Sequence, residues 1–221
     1  MSRLSPEKLE SAVGFVLAGG QSSRMGADKA LELCAGKRLI QIALSALAEV
    51  DVTARIAGSR TSLSAFAVEI PDIFPNAGPM GGILSGLTAS ASALSLFLPV
   101  DLPLMPASLL ANLLMRARIT GAPVTATSLN GRLEPFPVVL HRSVLGPLTR
   151  LLQSGQTACH RAWQTIPAEL ESVADIVSVE ILTQAGQCQH PLGLPPAIWF
   201  HSANTPSDLA YLNRLCRNSI P

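Results

Sequence analysis

Charge is scarce in this chain. Only 14% of its 221 residues are charged, 16 Lys and Arg against 15 Asp and Glu, for a formal net charge of +1. That balance gives no general pull toward nucleic acid or an anionic membrane, so any anion site must be local. Aromatic residues are few as well, at 4%. With an Ala- and Leu-rich composition, this favours helices packed on a sheet over an all-β sandwich. The four cysteines, Cys34, Cys159, Cys188 and Cys216, form no C-x-x-C pair and lack zinc-ligand spacing. The longest apolar stretch, LSLFLPVDLPLMPASLLANLLM, is broken by Asp101 and three prolines. A membrane span of about 20 uninterrupted apolar residues is therefore absent. The opening MSRLSPEKLESA carries no apolar h-region, so no secretory signal is expected. Together these absences predict a soluble cytoplasmic protein with reduced thiols.

What is present is core material: 48% of the residues are hydrophobic. The length fits a single domain over 1–221. Apolar runs at Val13–Leu17, Val52–Ala57, Phe66–Ile70, Leu94–Val100, Val124–Ser128, Phe136–Leu140, Val173–Ile181 and Ile198–His201 read as strands. Helical spacing is read over Leu39–Val50, Gly78–Ala89, Pro106–Arg118, Ser143–Gln153, Thr157–Trp163 and Pro206–Arg217. Leu94–Val100 is the best candidate for a central parallel strand, and Asn130-Gly131 is a turn signal. Strands alternating with helices predict parallel β-α-β units in an α/β fold with a mostly parallel central sheet. TQAGQCQHPLGLPP, residues 183–196, is the one long loop candidate, either functional or loosely ordered.

Three stretches carry chemistry. In LAGGQSSRMGADKAL, from Leu17, an apolar strand breaks into Gly19 and Gly20, followed by Arg24 and Lys29. The glycines let the backbone approach a ligand, successive N–H groups there can cradle phosphate oxygens, and the two cations add fixed charge. Neither G-x-x-x-x-G-K-[ST] nor G-x-G-x-x-G is present. In LPVDLPLMP, Asp101 follows the best strand, where ligands of open α/β sheets gather. A carboxylate there is placed to hold Mg²⁺ on a triphosphate, and no buried cation partner for it is evident in the sequence. In PDIFPNAGPMGGILSGL, Gly78, Gly81 and Gly82 permit a close approach, and Asp72 precedes them. Taken singly, these stretches also have bland readings: a turn with two solvated cations, an Asp that starts a turn or caps the helix from Pro106, and a tight turn into a helix.

Together they are more specific. LAGG-x-S-x-R-M-G-x-D-K, GPMGG, PVDLP and ANTPSDL at 203–209 resemble the signature of the molybdenum cofactor guanylyltransferase family. The likeness covers 13–110 and the C-terminal region, and is weaker over EPFPVVLHRSVLGPL. The resemblance implies a Rossmann-like three-layer nucleotidyltransferase fold, with a nucleotide-binding half at about 11–118 and an acceptor-side half at about 119–221. It implies Mg²⁺-dependent transfer of GMP from GTP to the phosphate of molybdopterin, with release of pyrophosphate. Leu17, Ala18, Gly19 and Gly20 would lie along the nucleotide, and Arg24 and Lys29 would contact its phosphates. Asp72 would meet the guanosine part and Asp101 the metal. It also implies transient contact with molybdoenzymes or other proteins of cofactor biosynthesis.

The chain departs from the family pattern at two places. Ala57-Gly58-Ser59-Arg60 stands where an Asn-rich stretch is usual, and Ser202 stands where N-x-N-T-P has its first Asn. The rival readings are a sister enzyme using CTP or a sugar-phosphate acceptor, and a nucleotide-binding regulator without turnover. His141, His160, His190 and His201 are scattered and suggest no catalytic triad. His201 is read as a packing or surface residue, Trp163 and Trp199 as core or rim, and no metal is expected on Cys188 and His190.

Overall fold

The computed structural model describes residues 11–19, 29–58 and 63–218. Gly20, Arg24, Ser59 and Arg60 lie outside them.

The chain runs through β1 (Ala12–Leu17), a 3₁₀ turn at Lys29–Leu31, the hairpin β2 (Leu33–Cys34) and β3 (Lys37–Arg38), and α1 (Leu39–Ala48). It continues through β4 (Thr53–Ala57), β5 (Glu69–Ile70), α2 (Pro79–Ala89), β6 (Leu94–Pro99) and α3 (Ala107–Thr120). Next come β7 (Val124–Leu129), β8 (Arg132–His141), α4 (Leu145–Gln153) and α5 (Cys159–Glu169). The last elements are β9 (Asp175–Ser178), α6 (Val179–Gln184), α7 (Pro196–Trp199) and α8 (Pro206–Asn218). Seven strands form one sheet in the order β5-β4-β1-β6-β8-β7-β9, and every pairing is parallel except the two made by β8.

Alternation along the strands builds two cores. On β1, Val13, Phe15 and Leu17 face the layer of α2, α4 and α5, whereas Val16 faces the layer of α1, α3, α6, α7 and α8. On β6, Leu94, Leu96 and Leu98 join the second layer and Phe97 the first. Strands buried on both faces are what parallel sheets between helices require, and they read as near-continuous apolar runs. Phe15 and Phe97 stack at 5.1 Å beneath Gly86 of α2, where an added Cβ would lie 2.9 Å from the Phe97 ring.

The expected alternation of strands and helices is present, with four differences. Val173–Ile181 is not one strand: β9 stops at Ser178, whose hydroxyl accepts from Ile181 N at 3.2 Å and so caps α6. Ile198–His201 is not a strand either, because Pro196 opens the helical turn of α7 and Trp199 is buried against the core. β8 begins at Arg132 rather than Phe136, and its register with β7 slips between Thr125 and Thr127, opposite the stretch holding Pro135 and Pro137. Prolines are tolerated at such an irregularity because they donate no ladder bond. The long loop is tied down, not loose. Asn112 Nδ2 donates to Gln187 O at 2.8 Å, Ser108 Oγ donates to Gln189 O at 2.9 Å, and Trp199 Nε1 donates to Leu194 O at 2.8 Å.

Candidate active site

β1, β4 and β6 all end at one edge of the sheet, and a cavity of about 590 Å³ opens there. One wall is Leu17, Ala18 and Gly19 after β1, with Ala57 and Gly58 after β4. The two strand ends touch through backbone: Ala18 N donates to Ala57 O at 3.1 Å, and a Cβ on Gly19 would lie 2.3 Å from Gly58 O. Only glycine fits at position 19. Gly78, Pro79 and Gly82 bring in the N-terminus of α2, whose dipole favours an anion. The opposite wall is Glu134, Pro135 and Phe136 of β8, with Phe200 and Ser202.

Asp101 stands between the walls, just past β6. Its Oδ2 accepts from Lys29 Nζ at 2.8 Å, and the same ammonium donates to Asn204 Oδ1 at 2.5 Å. Both charged side chains keep some contact with water, at 18% and 23% exposure. Asp101 therefore does have a cation partner, supplied by tertiary contact from a residue 72 positions away. The backbone holds Asp101 on both sides, since Val100 N donates to Leu17 O at 3.0 Å and Ala203 N donates to Asp101 O at 2.9 Å.

Asn204 is fixed by the start of α8. Asp208 Oδ2 accepts from Asn204 N at 3.0 Å and Thr205 N at 2.8 Å. The Thr205 side chain foremost, and then these two backbone N–H groups, hold the Asp208 carboxyl below its ordinary value. His201 packs outside the lining, with its ring 5.1 Å from Tyr211 and its Nε2 3.6 Å from Asp208 Oδ1. Trp163 and Trp199 are core residues. All four cysteines are free and buried; burial pushes Cys34 and Cys159 up to about 12 and Cys188 to about 11, and none lines the cavity.

The structure thus brings Leu17, Ala18, Gly19, Lys29 and Asp101 to one cavity. Asp72 is not in its lining. Asp72 Oδ1 accepts from Phe74 N at 3.0 Å, and a Cβ on Gly81 would lie 3.1 Å from it, one residue from the lining Gly82. Three residues carried no role in the sequence reading. Asn204 was signalled by ANTPSDL, whose Asp208 follows at capping distance; Glu134 opens EPFPVVLHRSVLGPL, where the resemblance is weaker, and Phe200 gave no local signal.

Residues 14–173 match the MobA-like NTP transferase domain. The chain belongs to this family. It is a nucleotidyltransferase, and the resemblance to the molybdenum cofactor guanylyltransferases is borne out. A molybdenum cofactor guanylyltransferase of Xanthomonas euvesicatoria pv. vesicatoria (strain 85-10) is 31% identical over 173 residues, 72% of this chain and 87% of that protein. One from Bordetella petrii is 34% identical over 163 residues, 67% of this chain and 83% of that one. Among solved structures, molybdopterin-guanine dinucleotide biosynthesis protein A from Archaeoglobus fulgidus superposes with a TM-score of 0.73 at 20% identity, covering 94% of this chain and 99% of that one. The 2-C-methyl-D-erythritol 4-phosphate cytidylyltransferase of Thermus thermophilus gives 0.63 at 17%, covering 93% and 98%. Both share the α/β fold of this chain. No helix among the described residues is long and apolar enough to cross a membrane.

Proposed function

We propose that this enzyme transfers GMP from GTP to the phosphate of molybdopterin and releases pyrophosphate. The observation that carries the reading is Lys29 Nζ bridging Asp101 and Asn204 at 2.8 and 2.5 Å, in a cavity flanked by a glycine-lined wall and a helix N-terminus. The acceptor already ends in a phosphate, so no Ser or Cys nucleophile is needed. An acceptor oxygen forms a bond to the α-phosphorus of GTP as the bond from that phosphorus to the pyrophosphate oxygen breaks, and pyrophosphate leaves. The protein's task is to align two anions and neutralise the charge that builds between them.

Leu17, Ala18, Gly19, Gly20 and Asp72 bind the nucleotide, with Arg24 and Lys29 on its phosphates. Asp101 and Asn204 hold the Lys29 ammonium in the cavity, where it serves the phosphates. Among the described residues no cluster of three or more His, Cys, Asp or Glu could cage a metal. Mg²⁺ on a triphosphate does not need one: one or two carboxylates suffice, with phosphates and water supplying the other oxygens. Asp101 fits, because Lys29 occupies only its Oδ2 and leaves Oδ1 without a partner among the described residues. When bound, Mg²⁺ would neutralise charge on the phosphates and orient them. The enzyme works in the cytoplasm in this reading, passing its product to molybdoenzymes or other cofactor-biosynthesis proteins.

Pyrophosphate release with each of GTP, CTP, ATP and UTP, with molybdopterin present and absent, tests the reading. GTP-dependent release that requires molybdopterin is expected. Preference for CTP, or for a sugar-phosphate acceptor, would assign a sister activity; tight GTP binding without turnover would make the protein a regulator.

A further inference from the structure

Glu134 is the carboxylate in the cavity wall that the proposed transfer does not use. It lies in the early part of β8, which runs antiparallel to β6. In that ladder Leu94 faces His141 and Phe97 faces Val138. The first residues of β8 therefore extend past the end of β6, alongside the segment that carries Asp101. The Glu134 side chain is partly buried and has no hydrogen-bond or ion-pair partner among the described residues. Burial alone pushes its carboxyl above the ordinary value, so no neighbouring charge accounts for the shift. A carboxylate drawn out of water without a partner costs free energy. Such a group in the lining of a cavity is expected to be satisfied by a ligand.

The wall around it narrows the choice of ligand. Phe136 and Phe200 are flat apolar surfaces, and Ser202 adds a hydroxyl. The backbone beside Glu134 is pinned from behind, because the buried Trp163 donates Nε1–H to Pro135 O at 3.0 Å. Two aromatic rings beside a carboxylate suit a flat heterocycle whose edge offers adjacent N–H donors to that carboxylate, in the bidentate manner such pairs favour. Both guanine and a pterin present that edge. The strand order decides between them: the glycine wall belongs to β1 and β4, on one side of β6, and Glu134 belongs to β8 on the other. Asp101 sits between.

We propose that Glu134 reads the 2-amino-4-oxo-pyrimidine edge of the acceptor's pterin, a specificity role that rests on the acceptor assigned above. Glu134→Gln keeps the shape but loses the charge and one of two acceptor oxygens. The test is a fluorescence titration of the full chain, wild type and Glu134→Gln, with neopterin and separately with GTP and Mg²⁺. Molybdopterin turnover is followed in parallel, and a thermal melt checks the fold.

At least a tenfold loss of neopterin affinity and a matching rise in KM for molybdopterin are expected, with GTP affinity and melting temperature unchanged. If GTP affinity falls instead, Glu134 serves the guanine and the proposal is overturned. It is equally overturned if neither ligand is affected. A wild-type protein that binds no neopterin and turns over no molybdopterin would overturn the acceptor assignment itself, a failure visible before any variant is made.

Discussion

The central contact is a single ammonium shared by a carboxylate and an amide, and its removal gives the sharpest residue-scale test. Lys29→Ala should lower kcat by at least tenfold and by as much as about 10²–10³, the cost of losing one preorganised charge contact. The pair is partly solvated, so the stability loss should stay near about 1 kcal/mol or less. Steady-state kinetics and a thermal melt on the same sample separate the two effects, and a kcat unchanged from wild type would remove Lys29 from the phosphate site. The sequence made Leu17–Gly19, Lys29 and Asp101 legible because glycines after a strand and a charge after an apolar run are local patterns. Asn204 was not legible as Lys29's partner, because 175 residues separate them and only folding joins them. Glu134 opens a stretch of weaker resemblance, but its place beside Asp101 was hidden for a similar reason, since only folding lays β8 alongside β6.

At the scale of elements, α2 lies flat on the Phe15–Phe97 pair through Gly86. Alanine there would gain about 1 kcal/mol of helix propensity. It would also drive a methyl to 2.9 Å from a ring already stacked on another, and overpacking of that kind costs about 1–3 kcal/mol. Gly86→Ala should therefore lower stability, by up to about 2 kcal/mol in urea unfolding, while kcat is largely kept; a stabilised variant would contradict this packing. The start of α8 has its own signature in pH. Asp208 has a depressed carboxyl pKa in the folded state. Its contribution to stability is thus full above the ordinary carboxylate pKa and is lost as pH falls through the lowered folded value. The melting-temperature gap between wild type and Asp208→Ala should be constant near neutrality and shrink toward acid. A gap that grew on acidification would reverse the sign. Most of the β-α alternation was legible from period and punctuation. Ser178 and Pro196 turned expected strands into helix starts, since a cap outweighs a β-branched run once no sheet partner continues the ladder.

At the scale of the whole molecule, the cavity draws on distant parts of the chain: one wall comes from the ends of β1 and β4, the other from β8 and the approach to α8. Ligand binding should therefore tighten the entire fold. A non-hydrolysable GTP analogue with Mg²⁺ at about 100 times its Kd adds about 2.7 kcal/mol, or roughly 5–10 °C for a chain of this size. Asp101→Asn should largely lose that shift, and a full shift in the variant would argue against its part in binding the metal nucleotide. The most direct measurement is GTP- and molybdopterin-dependent pyrophosphate release by Asp101→Asn across a Mg²⁺ series. A fall of about two orders of magnitude or more at limiting Mg²⁺, partly recovered at high Mg²⁺, is the predicted result. Turnover near that of wild type at limiting Mg²⁺ would contradict the assignment of this cavity as the site of transfer.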